Sequence, residues 1–431
     1  MDRISYPELG ETLYRDTLPN GLTVAVVPRP GFSRKIAYFV TDHGSIHRKF
    51  ALNGEAVTAP AGSAHYLEHK LFDMPGRDIS GEFAALGANP NAFTSYDMTA
   101  YYFTCTENFQ QSLELLLEFV STPYFTVETV RKEQEIIGQE IDMNEDNADT
   151  RVFEQLMEAM YHSHPIREPI LGTRESISQI TPEMLALCHK AWYDPGNMIL
   201  CVVGDVDPEQ VWQTALEKLP AVSCNPSKKI PFPKEEMTCP QSLVTAKMEI
   251  AMPMFQLGFK CPALGTGKEA ICREVIGDLA VEALFGESSE LYLKLYEEGI
   301  IDTSFGGGFE TVEGMSMLTA SGDSWKPEAV RDAIINQAKV LLETGIREAD
   351  FLRMKRSALG RRIRDLDSFD STCFRVCAYH FSKFDYFRFP EVYRDVEVSE
   401  ILAFLRETVV NERCSLSVVY PMNQSEQEVS L

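Results

Sequence analysis

The chain has 431 residues, 44% hydrophobic and 24% charged, a balance that suits two or more globular domains and excludes a disordered polymer. Its 64 acidic against 40 basic residues give a formal net charge of −24, which argues against nucleic acid or an anionic membrane as partner, because phosphate contacts need clustered Lys and Arg. The first residues lack the basic and apolar regions of a signal peptide, and apolar runs such as Met198–Val203 are too short to span a bilayer, so a cytoplasmic location is expected.

In chain order, two strands are predicted around Leu18-Pro19-Asn20-Gly21, where Asn-Gly is a hairpin signal. A third strand covers Lys35–Val40, and a loop with Gly54 and Pro60 leads into Gly62-Ser63-Ala64-His65-Tyr66-Leu67-Glu68-His69. This stretch reads H-x-x-E-H, the reverse of H-E-x-x-H and a zinc-peptidase signature. On a helix His65 and His69 share a face, roughly 6 Å apart along the axis, so both imidazoles reach one small cation with Glu68 beside it. A pair of surface histidines would show the same spacing, so the rest of the chain must decide.

Ile79–Leu86 reads as a helix ending at Gly87, followed by the loop and strand Asn89-Pro90-Asn91-Ala92-Phe93-Thr94-Ser95 and the strand Thr99–Cys105. Asn108–Val120 is an amphipathic helix, and Thr126–Tyr161 reads as one long helical segment. A helix starts at Pro182 after Thr181, Met198–Gly204 is a strand, and Asp207-Pro208-Glu209 opens another helix. Residues 223–240, rich in Pro, Lys and Glu, read as an exposed semi-rigid linker between a first domain (1–222) and a second (241–431).

The second half repeats the plan. Strands at Leu243–Met252 and Phe255–Phe259 precede helices at Ala270–Leu284 and Ser289–Gly299, strands within Thr303–Ser321, helices at 327–344, 347–367 and 399–408, and a last strand at Ser415–Tyr420. The expected fold is α+β: two duplicated domains, each a mostly antiparallel sheet packed with helices. The ten cysteines lack paired spacing and read as free core thiols of a reducing compartment. Gly306-Gly307-Gly308 has no following Lys-Ser/Thr, so it reads as a close backbone approach in a strand and not as a phosphate loop.

A catalytic zinc site has three protein ligands and one open position. Glu133 and Glu140, seven residues apart on a helix, lie within about 20° of one another. One can bind the metal while the other holds a ligand histidine, with Ile136 and Ile137 turned to the core.

With these residues the chain resembles the pitrilysin/insulinase family of zinc peptidases, in its short two-domain form similar to the catalytic subunit of the mitochondrial processing peptidase. That family follows H-x-x-E-H with a ligand glutamate at the end of E-x-x-x-x-x-x-E; here His69 and Glu140 are 71 residues apart. The resemblance implies Zn2+ held by His65, His69 and Glu140, with Glu133 as supporting carboxylate. Asn91, Ala92 and Phe93 are similar to the family's active-site edge strand, and Asn197–Val206 to its closing strand. Two departures stand out: Asp73-Met74-Pro75-Gly76 replaces a common Gly-Thr, and the second half has no H-x-x-E-H.

The expected function is zinc-dependent hydrolysis of peptides or unfolded segments. Glu68 would act as general base, and the substrate would pair with the edge at Asn91, Ala92 and Phe93. The alternative is a non-catalytic, zinc-keeping subunit of a heteromeric peptide-processing complex; the intact Glu68 favours catalysis. The resemblance also implies a partner enclosing the substrate, as a homodimer or as a heterodimer with a homologue lacking the motif.

Overall fold

The computed structural model describes residues 1–221 and 227–422; positions 223–226 of the expected linker, Cys224 among them, lie outside the described residues. The chain forms two compact units whose segments interleave. The first takes Met1–Ile141, Pro169–Pro231 and Arg362–Arg388, and the second takes Asp142–Glu168, Phe232–Arg361 and the described residues from Phe389 onward.

In the first unit the strands β1 (Asp2–Tyr6), β2 (Glu11–Thr17), β3 (Thr23–Pro28), β4 (Lys35–Thr41), β5 (Asn89–Thr94), β6 (Thr99–Cys105) and β7 (Met198–Gly204) form one sheet in the order β1-β2-β3-β7-β4-β6-β5. Only β3 and β7 run parallel; the other neighbours are antiparallel. The Asn-Gly signal is real: Gly21 takes φ +90°, and the Asn20 side chain accepts from the Leu22 N–H at 3.1 Å. The inner strands β3, β4 and β7 are buried along almost their whole length, so they read as apolar runs and not as alternating strands. Phe39, Leu200 and Val202 from this sheet pack with Leu67, Leu113 and Leu116 from helices into one core. Each such side chain contributes about 1.5–3 kcal/mol by leaving water.

In the second unit β8 (Leu243–Met248), β9 (Met254–Cys261), β10 (Gly306–Val312), β11 (Met315–Asp323) and β12 (Cys414–Pro421) form a sheet in the order β8-β12-β9-β11-β10. Here too only the first pair, β8 and β12, is parallel. Order and sense reproduce β3-β7-β4-β6-β5, so the internal repetition expected from element order is present in the topology. The second glycine of Gly306-Gly307-Gly308 marks a close approach, since a Cβ at Gly307 would sit 2.0 Å from the Thr319 carbonyl oxygen.

Three differences from the sequence reading have local causes. Thr126–Tyr161 is two helices, Val127–Glu145 and Ala148–Met160, because the Asn147 side chain accepts from the Thr150 N–H at 3.1 Å and restarts the helix. The second helix packs on β8, β9 and β12, whereas Phe369–Phe381 packs on β4 and β7. Each sheet therefore carries one helix from the other half of the chain, and the units differ from contiguous domains at 1–222 and 241–431. Third, the loop between β4 and the His65 helix contains a hairpin, Lys49–Leu52 with Glu55–Thr58, to which Ser227–Lys229 of the expected linker adds a strand. The linker is held at its far end too: Glu235 accepts from the backbone N–H groups of His162, Ser163 and His164 and from Lys260.

Candidate metal centre

The helix Ser63–Leu71 carries His65, Glu68 and His69, and all its residues except His69 are buried. It begins at Gly62, with φ +86°, where a Cβ would lie 2.4 Å from the Leu171 carbonyl oxygen. Only glycine lets the chain turn this close to the segment after Pro169. The helix is fixed to Val127–Glu145 by the Tyr66 hydroxyl, which donates to the Val130 carbonyl. Ile137 and Ile141 of that second helix join the core. Ile136, expected to turn inward with Ile137, is 46% exposed, because adjacent helical residues point about 100° apart.

The two helices bring His65, His69 and Glu140 together, with one ligand atom from each lying within 4.8 Å of the others. His65 Nε2 and His69 Nε2 each stand 3.7 Å from a Glu140 carboxylate oxygen. That is too long for a hydrogen bond. It is close to the ~3.4 Å that separates two ligand atoms around a tetrahedral zinc with bonds near 2.05 Å. The donor set of two imidazoles and one carboxylate fits a zinc ion with one position left for water. Glu133 does not join this set; its carboxylate oxygen lies 3.0 Å from His69 Nδ1. The four residues thus take two roles, three converging on one point and Glu133 fixing the ring of His69 from behind.

The electrostatics follow from burial and neighbours. Burial, reinforced by the nearby His69, pushes His65 down to about 3, so its ring is neutral and free to act as a ligand. For His69 burial pulls the same way, but the hydrogen bond its Nδ1–H donates to Glu133 and the charges of Glu68, Glu133 and Glu140 outweigh it and raise the ring above its ordinary value. Burial raises Glu68, against the opposing hydrogen bond from Thr94. The Thr94 hydroxyl donates to a Glu68 carboxylate oxygen at 2.8 Å.

Thr94 ends β5, the outermost strand of the first sheet, which among the described residues pairs only with β6 and leaves its other edge open. Alternation along the strand puts Ala92 on the face of Thr94, toward the His65 helix, and Asn91 and Phe93 on the opposite face. The Phe93 ring lies 6.0 Å from Phe374 and 6.3 Å from Tyr102. The Ala92 N–H is taken by the Asn91 side chain at 2.9 Å and not by β6. So the three residues expected at the edge are there, but only Ala92 faces the side of the metal cluster.

Sequence reasoning missed the roles of Tyr66 and Thr94. Both lie inside the recognised segments, but the first contacts a residue 64 positions away and the second one 26 positions away. No local pattern marks such contacts. Asp73-Met74-Pro75-Gly76, noted as a departure, makes a tight hairpin with Arg77–Asp78, and Arg77 bridges Glu82 and Glu118 at 2.7 Å each. His164 is buried, its Nδ1 accepts from the Ile166 N–H at 3.2 Å to cap a short helical turn, and its Nε2 lies 3.0 Å from the Glu313 carbonyl oxygen; His162 is exposed.

Residues 55–174 match the family description Insulinase (Peptidase family M16), and residues 179–358 match Peptidase M16 inactive domain. The chain is 37% identical over 426 residues to the Bacillus subtilis "uncharacterized zinc protease YmfH", covering 97% of this chain and 99% of the relative. It is 25% identical over 364 residues to the Helicobacter pylori zinc protease PqqE, covering 82% and 80%. The crystal structure of an M16-like peptidase from Alicyclobacillus acidocaldarius superposes with a TM-score of 0.92 at 30% identity, covering 97% of this chain and 99% of that one.

Proposed function

Because the chain belongs to the M16 (insulinase) family of peptidases, we propose that it is a zinc-dependent endopeptidase acting on peptides or unfolded segments. The observation that carries this reading is the convergence of His65, His69 and Glu140 beside a buried, hydrogen-bonded Glu68. Those three residues would hold the zinc, which when bound makes a water more acidic and polarises a scissile carbonyl. Glu68 takes the proton of the attacking water and passes it to the leaving amine. Its burial suits that work, because a carboxylate raised above its ordinary value is the stronger base. Thr94 keeps the carboxylate aimed. Glu133 keeps the His69 ring in one orientation. The open edge of β5 at Asn91, Ala92 and Phe93 would receive an extended peptide as an added strand, which gives affinity with little demand on sequence.

The second reading is a zinc-keeping, non-catalytic subunit. A scaffold has no use for Glu68 in its aimed position, and the first reading is preferred on that ground. The proposal includes a second subunit, either another copy or a homologue without the metal motif, to enclose the substrate. It also includes a cytoplasmic location, supported by nine described cysteines that form no disulfide. No helix among the described residues is long and apolar enough to cross a membrane.

The test is to incubate the purified protein with a mixed library of unstructured peptides, with and without chelator, and to read the products by mass spectrometry. Cleavage that chelator abolishes and zinc restores is expected. Metal content of one zinc per chain with no cleavage under any condition would favour the second reading.

A further inference from the structure

We infer that Cys201 and the pair Cys373 and Cys377 form a redox clamp, which a hydroperoxide closes into a disulfide that fastens the helix Phe369–Phe381 to the first sheet. All three residues belong to the first unit, and all three are buried with no exposed surface. The metal centre uses none of them. A spacing of four puts Cys373 and Cys377 on one face of the helix. That helix packs on β4 and β7, and Cys201 lies in the middle of β7.

The register of the sheet sets Cys201 opposite the pair. Arg15 of β2, Ala25 of β3, Cys201 of β7, Tyr38 of β4 and Tyr102 of β6 are successive cross-strand partners, so their side chains share one face. The helix lies along this row. His380 Nδ1 accepts from Arg15 at 2.7 Å toward one end, and Phe374 stands 6.0 Å from Phe93 of β5 toward the other. Between these contacts the Cys373 thiol donates to the Cys201 carbonyl at 3.8 Å, and both helical thiols reach the Cys201 sulfur. Small side chains on both sides, Ala25 and Cys201 below and two cysteines above, let helix and sheet come this close.

Of the three thiols, Cys201 ionises first. Hydrogen bonds from Cys373 and Cys377 favour its thiolate against the opposing effect of burial, and the Arg15 charge favours it further. The two helical thiols shift the other way, through burial and the neighbouring sulfur. The thiolate is the nucleophile in thiol oxidation. The Cys201 sulfur attacks the outer oxygen of the hydroperoxide, the O–O bond breaks, and the inner oxygen leaves as an alcohol with the Cys201 proton. A sulfenic acid remains on Cys201. The sulfur of Cys373 or Cys377 then attacks the Cys201 sulfur, the S–S bond forms, and the hydroxyl leaves as water with the second thiol proton. Two electrons have passed from two thiols to the peroxide. A hydroperoxide is small enough to enter when the helix opens locally. In the structure all nine described cysteines are free thiols, which is the open state of the clamp.

The experiment treats the full chain with hydrogen peroxide, alkylates the remaining thiols in denaturant and maps the peptides by mass spectrometry without reduction. A crosslink from the peptide of Cys201 to that of Cys373 or Cys377 is expected, and dithiothreitol should remove it. Amide exchange within Phe369–Phe381 should slow about tenfold or more in the oxidised chain, because the crosslink opposes opening of the helix. Cys201→Ala should remove both effects. Cys188→Ala, at a buried thiol shifted by burial alone, should leave both in place. If Cys201→Ala does not fold, the double change Cys373→Ala and Cys377→Ala tests the same link from the helix side. No crosslink at Cys201 in the parent, a crosslink that leaves the exchange unchanged, or slowed exchange that persists without Cys201 would each overturn the proposal. None of these outcomes depends on peptide cleavage.

Discussion

His69 is the residue on which the metal centre turns. It faces Glu140 through Nε2 and Glu133 through Nδ1, so its two nitrogens have separate tasks. Glu133→Ala would leave the three converging groups in place but free the His69 ring. Zinc affinity, measured by competition with a chelator, is expected to fall about 10–100-fold, the usual effect of removing such a support. Unchanged affinity would mean that packing alone orients the ring. This part of the site was legible because each pair lies on one helix, where spacings of four and seven fix a common face. What joins the pairs was not. The Tyr66 contact to Val130 and the Thr94 contact to Glu68 link elements that only the folded chain brings together. The same limit explains Ile136, since helical spacing shows which residues share a face but not where the core boundary cuts it.

At the scale of elements, the segment after residue 231 shows how composition misleads. Its prolines, lysines and glutamates read as an exposed linker, yet Glu235 and Lys260 form a nearly buried pair 3.0 Å apart. Burial alone would raise Glu235, but the N–H groups of His162 and Ser163 and the Lys260 ammonium outweigh it and hold the carboxyl at about 2. A depressed carboxyl stabilises the fold fully above its unfolded value, near 4.5, and that contribution is lost as pH falls toward 2. Glu235→Gln should therefore destabilise the second unit at neutral pH by about 3 kcal/mol, the low end for breaking a buried pair. The low end applies because the Glu236 and Thr238 carbonyls and the Tyr161 ring still face the ammonium. Denaturant unfolding followed from neutral pH down to about pH 2 should show the gap between parent and variant closing in acid. A gap that stays constant would contradict the assignment. Helix breaks behave similarly. Asn147 divides what periodicity presents as one helix, since its side chain competes for the backbone over a single turn.

Across the whole molecule, the repetition was legible because it lies in the order of elements, which a sequence displays directly. Its topology is repeated strand for strand, β3-β7-β4-β6-β5 against β8-β12-β9-β11-β10. The interleaving was hidden, because Ala148–Met160 and Phe369–Phe381 show only that they are helical and not which sheet covers them. The repetition also separates what was kept from what was lost. The first copy has the two histidines and the glutamates; the second has no histidine motif. If the first copy is a working peptidase, one side chain should divide metal binding from catalysis. The most direct measurement is zinc content and peptide cleavage on Glu68→Gln beside the parent. About one zinc per chain should be retained, while cleavage falls by about 10²–10⁴-fold or more. A variant that keeps its zinc and cleaves at the parental rate would contradict the role assigned to Glu68, and with it the peptidase mechanism.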